Sequence, residues 1–125
     1  MRICLYDDRR AADLGPLTAT RPASDLLCGL TTLADKQARF FRADRVGYLV
    51  RPELAALLKA RDPVAPVNDP AWLRAAPTVL VNSRWLAPPP PFPGPAYRDL
   101  FSGGTVVGAA GGEVAFAAVG PAHLQ

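Results

Sequence analysis

Two threonine hydroxyls and a guanidinium stand between two prolines in Pro16-Leu17-Thr18-Ala19-Thr20-Arg21-Pro22. The prolines stiffen the segment by fixing φ, and the side chains between them offer donors and a planar cation. Such a turn suits an anion, most simply a phosphate: Arg21 can grip it with a fork of N–H donors while Thr18 and Thr20 donate hydroxyls. The same residues have a plainer use, as a turn whose hydroxyls cap the segment that follows. Upstream, Asp7 and Asp8 end the short apolar run Ile3-Cys4-Leu5-Tyr6. Paired carboxylates there can hold a divalent cation such as Mg²⁺, which takes oxygen ligands and shares its shell with substrate phosphates. Their bland use is to end a strand, neutralised at the surface by Arg9 and Arg10. Successive strand side chains point to opposite faces, so one of the two carboxylates is expected to face a cleft.

Other chemistries find little support. His123 is the one histidine and has no partner in the sequence, so neither a Ser/His/Asp nor a Cys/His arrangement can be built. Cys4 and Cys28 lack the paired spacing of a zinc site. Fourteen arginines and lysines against eleven acidic residues leave a net charge of +3, and the arginines are scattered rather than gathered in a stripe. Nucleic acid is therefore not an expected partner. Residues 88–91 are four consecutive prolines. They can present a polyproline II ligand, but between two strands of one domain they read as a stiff loop. Trp72 and Trp85 read as packing residues.

The elements that must position these groups follow from pattern. Residues 3–6 read as a buried strand and residues 9–22 as a loop. From Ser24 to Phe41 the pattern turns helical, with Leu30, Leu33, Ala34, Ala38 and Phe41 on one face. Thr32 with Asp35 three positions on is a capping pair, placing the main helix start near Thr32. Residues 46–50 form a second strand, and Pro52 opens a helix through about Ala60 with Leu54, Leu57 and Leu58 on one face. One helical turn falls at residues 70–74. Residues 78–82 form a third strand, apolar throughout its middle and so covered on both faces. Residues 105–109 and 114–119 flank Gly111-Gly112 as a hairpin. The fold class is α/β: a small Rossmann-like, mostly parallel sheet flanked by helices, with an antiparallel hairpin near the C-terminus. Ligands of such sheets bind beyond the carboxyl ends of the strands, which is where Asp7, Asp8 and the proline-bounded turn lie.

A chain of 125 residues fits one domain. Its last residues, with no capped helix or charged tail, read as part of a longer protein. The absence of a leader before Cys4, and of any apolar run near 18 residues, predicts a cytoplasmic chain with reduced thiols and no membrane partner.

The segment Leu14-Gly15-Pro16-Leu17-Thr18-Ala19-Thr20-Arg21-Pro22 resembles the L-x-P-L-T-x-x-R-P part of the sugar nucleotidyltransferase signature, and lies after the first strand as that signature does. Over most of its length the chain also resembles a divergent bacterial branch of that family. The likeness is carried by residues 3–8, 18–22, 29–36, 48–51 and 79–85. The branch is related to proteins like UDP-N-acetylglucosamine pyrophosphorylase/glucosamine-1-phosphate acetyltransferase, in which a left-handed β-helix of hexapeptide repeats follows. The resemblance implies nucleotide-sugar formation from a nucleoside triphosphate and a sugar 1-phosphate, with Mg²⁺ as cofactor and pyrophosphate released. It gives Arg21 the catalytic phosphate contact, Thr18 and Thr20 the shaping of the binding loop, and Asp7 or Asp8 the metal. It also implies homo-oligomer formation through a further C-terminal domain. The chain departs from the family in two places. Residues 7–13 hold no glycine where the family has a glycine-rich loop, and Ala23 stands where the family has a lysine. Those departures keep a second role open, a non-catalytic sugar-phosphate recognition or assembly domain of a hexapeptide-repeat acyltransferase.

Overall fold

The computed structural model describes residues 1–124. In chain order they form β1 (Arg2–Tyr6), β2 (Leu27–Cys28), β3 (Thr31–Thr32), α1 (Leu33–Phe40), β4 (Arg45–Leu49), α2 (Pro52–Arg61), α3 (Pro70–Ala75), β5 (Thr78–Asn82), α4 (Tyr97–Phe101), β6 (Val107–Ala110) and β7 (Glu113–Val119). Short 3-10 segments lie at Arg9–Leu14, Ala23–Asp25 and Pro121–Leu124. One five-stranded sheet has the order β4-β1-β5-β7-β6, and β2 and β3 form a separate small hairpin. β4, β1 and β5 are parallel; β7 runs antiparallel to β5 and β6 antiparallel to β7. This is the expected α/β architecture with its C-terminal hairpin built into the sheet.

The interior place of β1, between β4 and β5, follows from its composition. Ile3, Cys4 and Leu5 are buried on both faces, as an uninterrupted apolar run requires. Cys4 is a free thiol there, and burial pushes its pKa up to about 12. The connection from β1 through α1 to β4 steps one way across the sheet. The connection from β4 through α2 and α3 to β5 steps back past β1. Parallel crossovers are right-handed as a rule, and two that step in opposite directions put their helices on opposite faces. On one face Ile3, Leu5, Val79 and Val81 pack with Phe41, Leu100 and Ala118. Phe41 also meets Phe116 edge-on, centroids 5.1 Å apart, and Trp85 sits 5.3 Å from Phe40. On the other face the Trp72 ring covers Gly47 so closely that a Cβ at position 47 would lie 2.6 Å from it. The Arg2 guanidinium stacks 4.0 Å from the centre of the same ring.

Several local expectations are corrected. Residues 9–22 are not a plain loop: a 3-10 helix occupies Arg9–Leu14. The main helix starts where the Thr32–Asp35 pair places it, at Leu33 with Thr32 as its cap, but the helical pattern read from residue 24 does not hold before it: residues 27–32 turn back as a hairpin around Gly29, whose φ of +76° suits glycine. Leu30 is fully exposed at its tip rather than on a helix face. Leu54 and Leu58 are buried as expected, but Leu57 is 53% exposed. The helix α4 was hidden in the sequence, its five residues too few to show a period. The proline run stays outside the sheet, and Gly94 after it packs on the Phe40 carbonyl.

Candidate functional site

At the carboxyl end of β1 the chain is tied down at several points. The Asp7 Oδ1 atom accepts hydrogen bonds from the Ala23 amide at 3.2 Å and from the Ser83 hydroxyl. The Thr18 hydroxyl is buried and donates to the Ala11 carbonyl at 2.7 Å. The Arg51 guanidinium, just past β4, donates to the Thr18 carbonyl. Together these contacts fix residues 16–22 over the carboxyl edge of β1 and β4.

Arg21 is thereby presented outward. Its exposed side chain lines a cleft of about 640 Å³ with Asp25, Thr32, Leu57, Ala60 and Arg61, a volume suited to a small molecule. Arg61 is already paired with both Asp25 oxygens, at 2.6 and 3.3 Å. Arg21 has no carboxylate partner among the described residues. An unpaired planar cation in such a cleft can grip a phosphate or carboxylate bidentately.

The other side of the strand end carries a second charged group. Asp8 accepts from Arg84 Nε at 2.8 Å and from Asn82 Nδ2 at 2.9 Å. The Arg84 guanidinium beside it holds its carboxyl down at about pKa 2. Asp7 moves the opposite way: burial raises its pKa, against the bonds from Ser83 and Ala23. The connection leaving β1 leads to β4, and that leaving β5 leads toward β7. The crevice between the ends of β1 and β5 is therefore the sheet's topological switch point, where α/β folds bind ligands. Asp7, Asp8, Asn82, Ser83 and Arg84 all stand at it.

The expected site residues are thus divided. Asp7 and the turn come together, Arg21 faces the α2 side, and Asp8 faces β5 and β7. Thr20 is exposed on the turn, while the Thr18 hydroxyl points inward and its hydrogen is spent on Ala11. Asp7 and Asp8 do not fit a carboxylate-held Mg²⁺. Both Asp8 oxygens are engaged by Arg84 and Asn82, and the free Asp7 oxygen, Oδ2, is sealed from solvent. Among the described residues no group of three His, Cys, Asp or Glu side chains is placed to hold a metal ion.

Arg51, Arg61, Ser83 and Arg84 were not anticipated. The polar triplet Asn82-Ser83-Arg84, following a buried strand, was the available signal. Only the strand order, with β5 beside β1, gives it meaning.

The fold and this edge define an α/β domain with an anion-suited turn at the carboxyl ends of its parallel strands. Residues 3–121 match the family described as sugar nucleotidyl transferase, and the chain belongs to that family. No curated protein and no solved structure matches the chain. No helix among the described residues is long and apolar enough to cross a membrane.

Proposed function

We propose that this chain is the substrate-binding part of a sugar-1-phosphate nucleotidyltransferase and that Arg21 grips a phosphate of the nucleotide or of the sugar phosphate. The observation that carries this reading is the anchored turn: Asp7, Ala11 and Arg51 hold it from three sides, while Arg21 pairs with no carboxylate among the described residues. Family membership supplies the reaction class. In that reaction a sugar 1-phosphate oxygen forms a bond to the nucleotide α-phosphorus, the bond from that phosphorus to the bridging oxygen breaks, and pyrophosphate leaves. The protein's part is to position two anions and offset their repulsion. Arg21 does this by direct contact, and Thr18 and Asp7 do it by fixing the turn. Mg²⁺ would arrive on the substrate phosphates rather than on Asp7 or Asp8.

One observation favours a second reading. Both aspartates are committed to Arg84, Asn82, Ser83 and Ala23, which suits a domain that recognises a sugar phosphate without turning it over. The readings separate in one assay. The protein is given nucleoside triphosphates and sugar 1-phosphates with Mg²⁺, and pyrophosphate release is followed. Release that falls sharply in Arg21→Ala supports transfer. Saturable sugar-phosphate binding without release supports recognition alone.

A further inference from the structure

We propose that Arg10 and Arg84 form an oxyanion site, now occupied by the protein's own Glu113, that takes a phosphate-class dianion when Glu113 is displaced. Arg84 Nη2 donates to Glu113 Oε2 at 3.0 Å, and Arg10 donates to the other oxygen, Oε1. Two guanidiniums from distant parts of the chain thus converge on one carboxylate, one on each oxygen. That is how a protein holds a bound anion.

The surroundings fit an exchange. A crevice of about 190 Å³ adjoins the pair, lined by Asn82, Arg84, Trp85, Glu113 and Ala115 among others. Arg84 is anchored from behind by Asp8, so it stays in place when Glu113 leaves. Glu113 itself is only partly buried and Arg10 is largely exposed, so solvent weakens that contact. Glu113 opens β7 directly after the Gly111-Gly112 turn, whose φ values of +59° and +79° only glycine adopts easily. The site stands at the switch point of the sheet but on the side away from Arg21, and the two clefts share no lining residue. It goes beyond the nucleotidyl-transfer reading, because an oxyanion site here holds whether or not the chain turns over nucleotides.

The ligand class follows from the competition. A free monocarboxylate only repeats Glu113 without the advantage of being tethered. A phosphate carries nearly twice the charge and more acceptor oxygens, so it can win.

The test is calorimetric titration of the chain with inorganic pyrophosphate and, separately, acetate. Glu113→Gln keeps an acceptor in place and removes the competing charge. It is expected to bind pyrophosphate about tenfold more tightly than the parent chain, with acetate showing no comparable gain. Asp99→Asn, an equal charge change on the exposed face of α4, controls for net charge and is expected to gain far less. Arg10→Ala in the Glu113→Gln background should erase the gain; Arg10 is exposed, so this variant keeps its fold. Three results overturn the site: no gain in Glu113→Gln, an equal gain in Asp99→Asn, or a gain that survives Arg10→Ala. A Glu113→Gln chain that loses thermal stability without gaining affinity would make the cluster a structural latch only.

Discussion

Asp7 accepts a hydrogen bond from the amide of Ala23, 3.2 Å away and sixteen positions further along the chain. That bond joins the end of β1 to the far side of the proline-bounded turn. The same oxygen receives the Ser83 hydroxyl, so one carboxylate fastens β1, the turn and the end of β5 together. The residue most readily taken for a metal ligand is instead a clamp.

Asp7→Ala is therefore expected to destabilise the chain by about 1–3 kcal/mol, the scale of stranding buried donors. It should also weaken anion binding although Arg21 is untouched. Asp7→Asn keeps an acceptor for Ala23 and Ser83 and should bind nearly as well as the parent. Burial raises the pKa of Asp7, so the folded state holds its proton more tightly than the unfolded chain. Its contribution to stability thus falls as pH rises from about the unfolded value of 3.8, and Asp7→Asn should remove that slope. Urea unfolding across that range reads both effects. Equal binding by Asp7→Ala and the parent would dismiss the clamp.

Asp8 should behave in the opposite sense. Its folded pKa of about 2 lies below the ordinary 3.8. The stability it confers is complete above roughly pH 4 and is lost as pH falls through about 2. The pair with Arg84 is partly solvent-screened, so the loss should be about 1–2 kcal/mol. Asp8→Asn is expected to be less stable than the parent at pH 7 and to lose less of its stability between pH 4 and 2. Urea midpoints at matched pH measure the difference; parallel curves for the two chains would refute it.

Gly47 offers a test of the face opposite α1. A methyl group there would meet the Trp72 ring at 2.6 Å, with Pro66 at 3.2 Å behind it. Gly47→Ala should cost about 1–3 kcal/mol through overpacking. It should also shift Trp72 fluorescence as the ring leaves Gly47 and Arg2. An unshifted emission at parent stability would show that the ring does not rest on the strand.

Much of the fold was legible because its signals are local. The strand runs at residues 3–6, 46–50 and 78–82 are short, apolar and bounded by polar or proline residues. The start of α1 was legible because a capping box has a fixed spacing: Thr32 Oγ1 accepts from the Asp35 amide at 3.1 Å and Asp35 accepts from the Thr32 amide at 2.9 Å. The Gly-Gly turn announced the hairpin. The site was less legible because it is made by strand order. Nothing in residues 82–84 shows that they will meet Asp7 and Asp8, seventy-odd positions earlier, until β5 is laid beside β1. Nor does a threonine in a polar turn reveal whether its hydroxyl faces a ligand or, like that of Thr18, the Ala11 carbonyl. The leucines of α2 misled for a related reason: their spacing marks a face, but Leu57 lies beside the Arg21 cleft rather than in the core.

The most direct measurement is calorimetric titration of a nucleoside triphosphate and of a sugar 1-phosphate into the parent chain and Arg21→Ala at equal protein stability. A saturable heat in the parent with at least one of the two ligands is predicted, with affinity about tenfold or more lower in Arg21→Ala. No heat with either ligand, or equal affinity in the two chains, would contradict a phosphate site at Arg21.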